Sequence, residues 1–343
     1  MEQSSKTLTF VVPAYNMETY LERCVESLLS ATDNSDIEVL IVDDGSSDGT
    51  PELADMYERR WPGNVRAIHQ VNKGHGGAVN TGIANATGMY VKVVDADWVD
   101  MPSIDTLMGT LRVQRVATDP VDMIVTNYVY DKVGKRVKHT VNFRHAMATN
   151  TVLGWDDLGC FGVAEYILMH ALIYRTQVVR DSGMQLPEHT FYVDFIYAYQ
   201  PFPWVKSMLY MDIPFYHYFI GREGQSVQTD VMIRRVAQLR LVNQRMVEAT
   251  PEPGTVPDGL YRYMIHFLAI ESSVTSVFLI LSKDKANYRL KDELWADIDK
   301  ASPAIGRDVR RKLVSRALNL RGSVGRWVIR RGYVVAEKVV GFN

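Results

Sequence analysis

The chain has few cysteines and no long apolar run near its start, and each absence excludes a class of protein. Its two cysteines, Cys24 and Cys160, are too few for a disulfide framework, and neither lies in a metal-binding pair. The first residues are polar, and the apolar run 8–12 has only the length of a strand, so no signal peptide is predicted. These absences favour a protein of the reducing cytoplasm.

The sequence also lacks a convincing membrane span and a strong charge of one sign. The most apolar segment, 263–281, contains His266, Glu271 and several hydroxyl residues, which favours a buried helix over a span. The net charge is −2, and residues 1–226 have no basic patch that matches in size the one after Gly306, as a nucleic-acid-binding protein would require. A nucleic-acid partner is therefore not expected, and no oligomeric state is indicated.

What the chain does have is a regular alternation of apolar patterns in its first third. Short β-branched runs predict strands, and each is followed by helical spacing of apolar residues. The predicted strands are 7–12, 37–42, 65–71 and 90–94, and the predicted helices follow residues 17, 50, 78 and 101. This order predicts an α/β fold with a mostly parallel, doubly wound sheet.

The alternation ends after about residue 130. Segment 128–143 resembles a hairpin with Gly134 at the turn, and strands are predicted near 164–174 and 205–211. From about residue 227 the pattern is helical. We therefore predict a catalytic domain over 1–226 and a helical C-terminal region over 227–343.

Two carboxylates, Asp95 and Asp97, directly follow the valine-rich strand 90–94. Open α/β sheets bind ligands beyond the carboxyl ends of their strands. In extended backbone, residues i and i+2 point the same way, so both carboxylates could face one Mg²⁺ or Mn²⁺ ion. The alternative is that the two residues cap a turn or the helix that starts near Pro102.

The other strand ends carry ligand-type residues as well. They are Tyr15 and Asn16, Asp43 and Asp44, and Lys73. Taken singly, Tyr15 is typical of a core aromatic, Asp43 of a turn and Lys73 of a solvated surface. Because the carboxyl ends of parallel strands meet at one edge, the set together predicts a binding site there.

In these segments the sequence resembles family 2 glycosyltransferases, which have the GT-A fold. The likeness covers roughly the first 230 residues and rests on the segments 11–16, 42–50, 72–74, 80–88 and 95–97. As a set these motifs are specific. The resemblance implies a UDP-sugar donor, Mn²⁺ or Mg²⁺, and transfer with inversion.

The resemblance also implies roles for individual residues. Pro13, Tyr15 and Asp43 would hold the uridine, with Asp44 beside them. Lys73 would lie near the base or the phosphates. Asp95 would contact the ribose or the water shell of the metal, and Asp97 would ligate the metal.

The acceptor hydroxyl needs a general base, and Asp194 is the best candidate. A carboxylate among aromatic residues tends toward a raised pKa, which suits a base. The family usually has Glu-Asp at this point, whereas this chain has Val193 and Asp194. The alternative role for Asp194 is the N-cap of a following helix.

Two further residues are predicted from the resemblance. Arg222, in the loop 221–226, could clamp phosphate as that loop closes over the donor, although a plain surface turn is an equal alternative. His217 could supply a third metal ligand, although a histidine in an aromatic strand is more often structural.

The residues after Gly306 form a basic tail with ten Lys and Arg and only Asp308 and Glu337 as acids. Valines and Trp327 fall into a stripe with basic flanks, which is typical of a helix lying on anionic lipid. A helix packed on the protein and an oligomer contact are the alternatives. Membrane docking would suit a polyprenyl-linked or other glycan acceptor in cell-surface polysaccharide synthesis.

The predicted function is thus a metal-dependent, inverting glycosyltransferase. Two rival functions stay open at this point. A nucleotidyltransferase would also place nucleotide and metal at strand ends, and a non-catalytic scaffold could keep the fold and act through the tail.

Overall fold

The structure is a computed structural model that describes residues 6–95, 97–132, 134, 138–221, 228–320 and 322–340, with the side chains of 335–340 excepted. The chain divides into two compact units. The first contains residues up to Gly154 together with Ile167–Ile220, and the second contains Trp155–Tyr166 together with the residues from Gly221 onward. The short segment Trp155–Tyr166 thus belongs with the helical part of the chain.

The described residues of the first unit contain ten strands. They are β1 (Lys6–Ala14), β2 (Ile37–Asp43), β3 (Val65–His69), β4 (Gly88–Val93), β5 (Trp98–Val99), β6 (Met123–Lys132), β7 (His139–Val141), β8 (Val152–Leu153), β9 (Leu172–Arg175) and β10 (Met208–Ile220). The order across the sheet is β3-β2-β1-β4-β9-β6-β10-β5, with β7 on β6 and β8 on β10. Strands β3, β2, β1 and β4 are parallel, and β9 is antiparallel to both β4 and β6.

Helices connect the parallel strands as the alternation predicts. In the first unit they are α1 (Glu18–Leu28), α2 (Thr50–Arg60), α3 (Gly74–Asn85), α4 (Met101–Val116), α5 (Thr176–Asp181) and α6 (Asp194–Tyr199). Strands β1 and β2 are almost fully buried because helices cover both faces of the sheet. The predicted α/β fold, with a largely parallel central sheet, is confirmed.

The middle of the chain differs from the prediction. The predicted strand 164–174 is largely wrong, since Met169–Ala171 form a short 3₁₀ helix and only Leu172–Arg175 form a strand. The predicted strand 205–211 is the start of the longer β10. The hairpin is confirmed, because β6 and β7 pair antiparallel around Gly134, whose φ is 74°.

The second unit is helical. Its helices are α7 (Thr229–Arg234), α8 (Val236–Ala249), α9 (Asp258–Leu281), α10 (Lys285–Ala301), α11 (Pro303–Arg311), α12 (Leu313–Leu318) and α13 (Gly322–Val340). Among the described helices, α9 has the length and apolar character of a membrane span, but most of it is buried within the protein.

The buried acidic residue of α9 has hydrogen-bond partners inside the protein. Glu271 is fully buried and accepts hydrogen bonds from Thr275 Oγ1 at 2.6 Å and from Asn243 Nδ2 of α8. Burial raises the pKa of Glu271 to about 7. The acid is thus satisfied by protein groups, as a core helix requires, and the prediction of a buried helix is confirmed.

Candidate active site

The ends of β1, β2 and β3 bring their polar residues to one edge of the sheet. Asp43 is paired in register with Ala14 on one side and with His69 on the other. The Asp44 amide donates to the Ala14 carbonyl oxygen at 2.8 Å, which continues the ladder into the loop. This register places the residues after β1 and β2 beside each other, as the sequence predicts.

Asp43 is buried, and both of its carboxylate oxygens have partners. The Ser46 amide donates to Oδ1 at 3.0 Å, and His69 Nδ1 lies 2.9 Å from Oδ2. Hydrogen bonding to Asp43 raises the pKa of His69. His69 is a site residue that the sequence analysis missed, although its place at the end of β3, opposite Asp43, is the signal that could have identified it.

Asp44 connects its own loop to the segment after β3 through one of its two carboxylate oxygens. Its Oδ1 accepts from Gln70 Nε2 at 2.6 Å and from the Lys73 amide at 2.8 Å. Its Oδ2 is buried and has no hydrogen-bond partner among the described residues. A buried carboxylate oxygen without a donor is costly unless a ligand supplies one.

Tyr15 and Pro13 have different positions although they are two residues apart. The ring of Tyr15 is half exposed beyond the end of β1. Pro13 is buried within β1 and pairs with Val42. The Val11 carbonyl oxygen accepts a hydrogen bond from the Val94 amide, so the backbone polar groups of residues 11 and 13 are directed toward β4. Because β4 ends at Val93, Pro13, which has no amide hydrogen, breaks no hydrogen bond of the sheet there. Pro13 therefore shapes the strand end that presents Tyr15.

Asp95 lies at the edge of the site and is paired with a histidine. Its side chain is 29% exposed, and Oδ1 is 2.7 Å from Nε2 of His75. Burial alone would lower the pKa of His75, but the carboxylates of Asp95, Asp194 and Asp44 raise it above its usual value. The imidazole of His75 therefore stands among three acids that favour its protonated form.

Asp97 is placed differently from the sequence expectation. It is only 1% exposed, and it accepts hydrogen bonds from Tyr216 Oη at 2.9 Å and from the Phe219 amide at 3.2 Å. Strand β4 ends at Val93, before both carboxylates. The two carboxylates face different partners.

His217 does not join the two carboxylates. Its ring stacks on Trp98 with the centroids 5.7 Å apart, and its Nδ1 lies 3.7 Å from Asp131. Alternation along β10 turns the neighbours Tyr216 and Tyr218 toward the site and His217 away from it. In the part of the chain that the structure describes, no group of three His, Cys, Asp or Glu side chains could hold a metal ion.

Asp194 is brought to this edge by the segment before it. The Asn80 side chain of α3 exchanges two hydrogen bonds with the backbone of Leu186, at 2.9 and 3.0 Å, and the His189 amide donates to the Lys73 carbonyl oxygen at 2.8 Å. We call residues 186–193 the base loop. It lies against the first turn of α3, which carries His75.

The glycines of Gly74-His75-Gly76-Gly77 permit this close contact. A Cβ atom on Gly76 would lie 2.5 Å from the Pro187 carbonyl oxygen, and one on Gly74 would lie 2.8 Å from the backbone of His189. The glycine-rich segment thus serves packing.

Asp194 itself is the first residue of α6, and its carboxylate accepts hydrogen bonds from the backbone amides of Asp194 and Phe195 in the first turn. Burial raises its pKa to about 6, and the charge of Asp95 contributes in the same direction. A carboxyl group titrating there is ionised at neutral pH and still basic enough to accept a proton. Arg222, the predicted phosphate clamp, lies outside the described residues.

Lys92 lies in the strand that leads to Asp95, and it was not predicted from the sequence. Its amine is fully buried in β4 and donates to the carbonyl oxygens of His170 at 2.7 Å and Leu172 at 3.3 Å. Burial lowers its pKa to about 7. The signal was a lysine inside the valine run 90–94, a position that a solvated charge does not occupy.

With this geometry in hand, comparison with known proteins identifies the class. Residues 9–165 match the family Glycosyl transferase family 2. The matched segment is a little under half of the chain, and the predicted resemblance to this family is confirmed over these residues, as is the GT-A fold.

One relative found by sequence and two solved structures illustrate the likeness. EpsH of Bacillus subtilis (strain 168) is 27% identical over 233 residues, which are 62% of this chain and 60% of EpsH, so the match spans less than two thirds of that relative. Residues 1–349 of S. aureus TarS in complex with UDP-GlcNAc have a TM-score of 0.69 at 18% identity, covering 96% of this chain and 92% of that one. The mannosyltransferase PcManGT of Pyrobaculum calidifontis, in complex with GDP-Man and Mn²⁺, has a TM-score of 0.54 at 17% identity, covering 97% and 86%.

Proposed function

We propose that this chain transfers a sugar from a UDP-sugar to a hydroxyl of a glycan or lipid-linked acceptor in cell-surface polysaccharide synthesis. The observation that carries the proposal is the convergence, at one sheet edge, of the Asp43–Asp44 loop, the Asp95–His75 pair and Asp194. The family supports a nucleotide-sugar donor, and the UDP-GlcNAc bound to TarS favours UDP as its nucleotide.

In the proposed donor site, the Oδ2 atom of Asp44 accepts a hydrogen bond from the nucleoside, and the ring of Tyr15 packs on the base. Asp43, held by His69 and Ser46, fixes the loop around it. Lys73, whose backbone amide is tied to Asp44, lies between the nucleoside and the phosphates. When it is protonated, His75 offsets part of the negative charge that the diphosphate brings to Asp95.

In the proposed reaction, Asp194 takes the proton of the acceptor hydroxyl while its oxygen attacks the anomeric carbon. The bond from that carbon to the diphosphate oxygen breaks, and its electron pair leaves with UDP. Because attack and departure occur on opposite faces of the sugar, a single displacement inverts the anomeric configuration. The buried position of Asp194 keeps the base away from bulk water.

A divalent cation fits this site only in part. Mg²⁺ is typically held by one or two carboxylates together with substrate phosphates, and the partly exposed Asp95 can supply one such ligand. Both Asp97 and His217 are committed to other contacts. We therefore assign Asp95, with the oxygens of the donor, as the holder of Mn²⁺ or Mg²⁺. Such an ion would neutralise charge on the departing diphosphate.

A panel of UDP-sugars tests the function directly. Purified protein with Mn²⁺ is expected to release UDP from one member of the panel, faster with an acceptor extract than without. EDTA is expected to stop this release, and a rate unchanged by EDTA would refute only the metal assignment. Release of pyrophosphate from a nucleoside triphosphate would indicate a nucleotidyltransferase. If neither UDP nor pyrophosphate were released, the non-catalytic scaffold would be the remaining function.

Asp44→Asn is expected to weaken UDP binding by roughly tenfold or more, because a charged acceptor at Oδ2 is lost while the acceptor at Oδ1 is kept. Isothermal titration calorimetry with UDP measures the change. Asp119→Asn, at an exposed position outside the site, is the matched control and should bind as the wild type does. Equal UDP affinity in the two variants would contradict the placement of the nucleoside at Asp44.

We also propose that the tail rests on anionic lipid. The described part of α13 exposes Val324, Trp327, Val328 and Val334, and Arg331 lies 5.8 Å from the Trp327 ring. Arg326 and Arg330 instead contact Tyr288 within the unit, so only part of the basic charge is available. The exposed apolar stripe is what favours lipid over internal packing.

Vesicle sedimentation tests the tail. Wild-type protein should sediment with vesicles that contain one third phosphatidylglycerol and much less with pure phosphatidylcholine. The Trp327→Ser and Val324→Ser double variant should lose most of this binding, whereas Val113→Ser, another exposed valine, should not. Undiminished sedimentation of the double variant would refute the proposal.

A further inference from the structure

Three neighbouring strands carry aromatic rings at one register position. Tyr218 of β10 is paired with Tyr130 of β6, and Tyr130 is paired with His139 of β7. The ring centroids are 5.8 Å apart in the first pair and 6.4 Å apart in the second. We call Tyr218, Tyr130 and His139 the aromatic row.

The aromatic row differs in exposure from the rings next to it. Two residues earlier on the same strands, Tyr216 and Tyr128 are buried and belong to the core. In the aromatic row, Tyr218 and Tyr130 are partly exposed and His139 is exposed. Core packing therefore accounts for the deeper pair but leaves part of each outer side chain accessible to solvent.

The charge of the proposed base acts on the row. After burial, the negative charge of Asp194 is the largest contribution that raises the pKa of both Tyr130 and Tyr218. The Tyr218 ring also lies 4.2 Å from the ring of His170, centroid to centroid. His170 is 4% exposed, and both of its ring nitrogens lack a hydrogen-bond partner among the described residues. Unsatisfied polar groups and partly exposed rings thus meet at one place.

We propose that the aromatic row is the acceptor subsite and that its ligand is a neutral pyranose, whose ring packs on Tyr130 with one hydroxyl directed at Asp194. This inference rests on the proposed glycosyl transfer and specifies the class of its acceptor. A pyranose has an apolar face of C–H groups and a rim of hydroxyls, which matches a tyrosine's apolar ring and polar end. The subsite would thus select a cyclic sugar at the acceptor end.

The charges next to the row also favour a neutral sugar over an acyclic polyol phosphate. Among the described residues near the row, Lys138 is paired with Asp131 at 2.6 Å. A phosphate ligand would need donors that are not already engaged by carboxylates. A pyranose, whose hydroxyl groups are uncharged, does not need such donors.

Ligand-detected NMR tests the subsite on the intact, UDP-saturated protein. The probes are the methyl pyranosides of glucose, galactose, mannose and N-acetylglucosamine, with glycerol and ribitol as acyclic comparisons. At least one pyranoside should bind more tightly than both polyols. Tyr130→Leu should weaken that pyranoside about 3- to 10-fold, the range expected for loss of one aromatic contact.

Three controls make the outcome decisive. Trp204→Leu removes another partly exposed aromatic side chain and should leave pyranoside binding unchanged. Tyr130→Trp keeps an aromatic ring and should retain binding even if the leucine variant folds poorly. UDP affinity should be unaltered in all variants. Pyranosides that bind no better than glycerol, or equal weakening by Tyr130→Leu and Trp204→Leu, would overturn the inference, while intact UDP binding would leave the proposed function standing.

Discussion

Asp194→Asn is expected to lower the rate of sugar transfer by about 10²- to 10⁴-fold, the usual contribution of a general base. The amide has nearly the same shape as the carboxylate but cannot accept the hydroxyl proton. UDP contacts are assigned to other residues, so the Kd for UDP should stay close to that of the wild type. Turnover rate and UDP affinity, measured on one preparation, check both statements. Transfer at the wild-type rate would remove Asp194 from the mechanism.

The same assignment predicts a pH dependence. Burial raises the pKa of Asp194 to about 6, so the group is ionised above that pH and protonated below it. The protonated form cannot act as a base, and the rate should therefore fall about tenfold per pH unit below 6 and level off above it. A rate that does not change between pH 5 and pH 7 would contradict this account. The residual activity of the Asp194→Asn variant should show no such inflection.

Gly76→Ala should reduce transfer by roughly 10- to 100-fold, as misplacement of a catalytic group by about 1 Å can do. The new methyl group would lie 2.5 Å from the Pro187 carbonyl oxygen, so the base loop must move away from α3 and carry Asp194 with it. The measurement is transfer rate together with thermal unfolding. An active Gly76→Ala enzyme would show that the base loop is not held by this contact.

Gly109→Ala is the matched control for this change. Gly109 lies in α4, and a Cβ atom there would meet nothing within 4 Å. The same glycine-to-alanine substitution should therefore keep full activity and stabilise the helix by about 0.5–1 kcal/mol. A loss of activity in both variants would point to a general effect of the substitution.

The parallel half of the sheet could be predicted because its signals are local. Valine-rich runs that end in polar residues gave the position of Asp43 and of Asp95 at the sheet edge, and chain alternation gave the order of strands and helices. The strand β9 was poorly predicted because it is only four residues long, Leu172–Arg175, and is defined by its pairing with β4 and β6. Propensity does not contain that information.

The site was predicted as a set but not in its internal contacts. The orientation of Asp97 depends on where β4 ends, and that of His217 depends on two register shifts earlier in β10. Neither the end of β4 nor the register shifts in β10 can be predicted from residue spacing in the sequence. The contact between the base loop and α3 joins residues more than 100 positions apart, Asn80 and Leu186 among them. Tertiary packing alone brings Asp194 near His75.

A crystal structure of the chain with UDP and Mn²⁺ would test the central claim most directly. The account predicts the uracil ring at Tyr15 and Asp44, with Oδ2 of Asp44 within hydrogen-bond distance of the nucleoside, and the diphosphate with its metal ion at Asp95 beside His75. Nucleotide bound away from the ends of β1, β2 and β4 would contradict it.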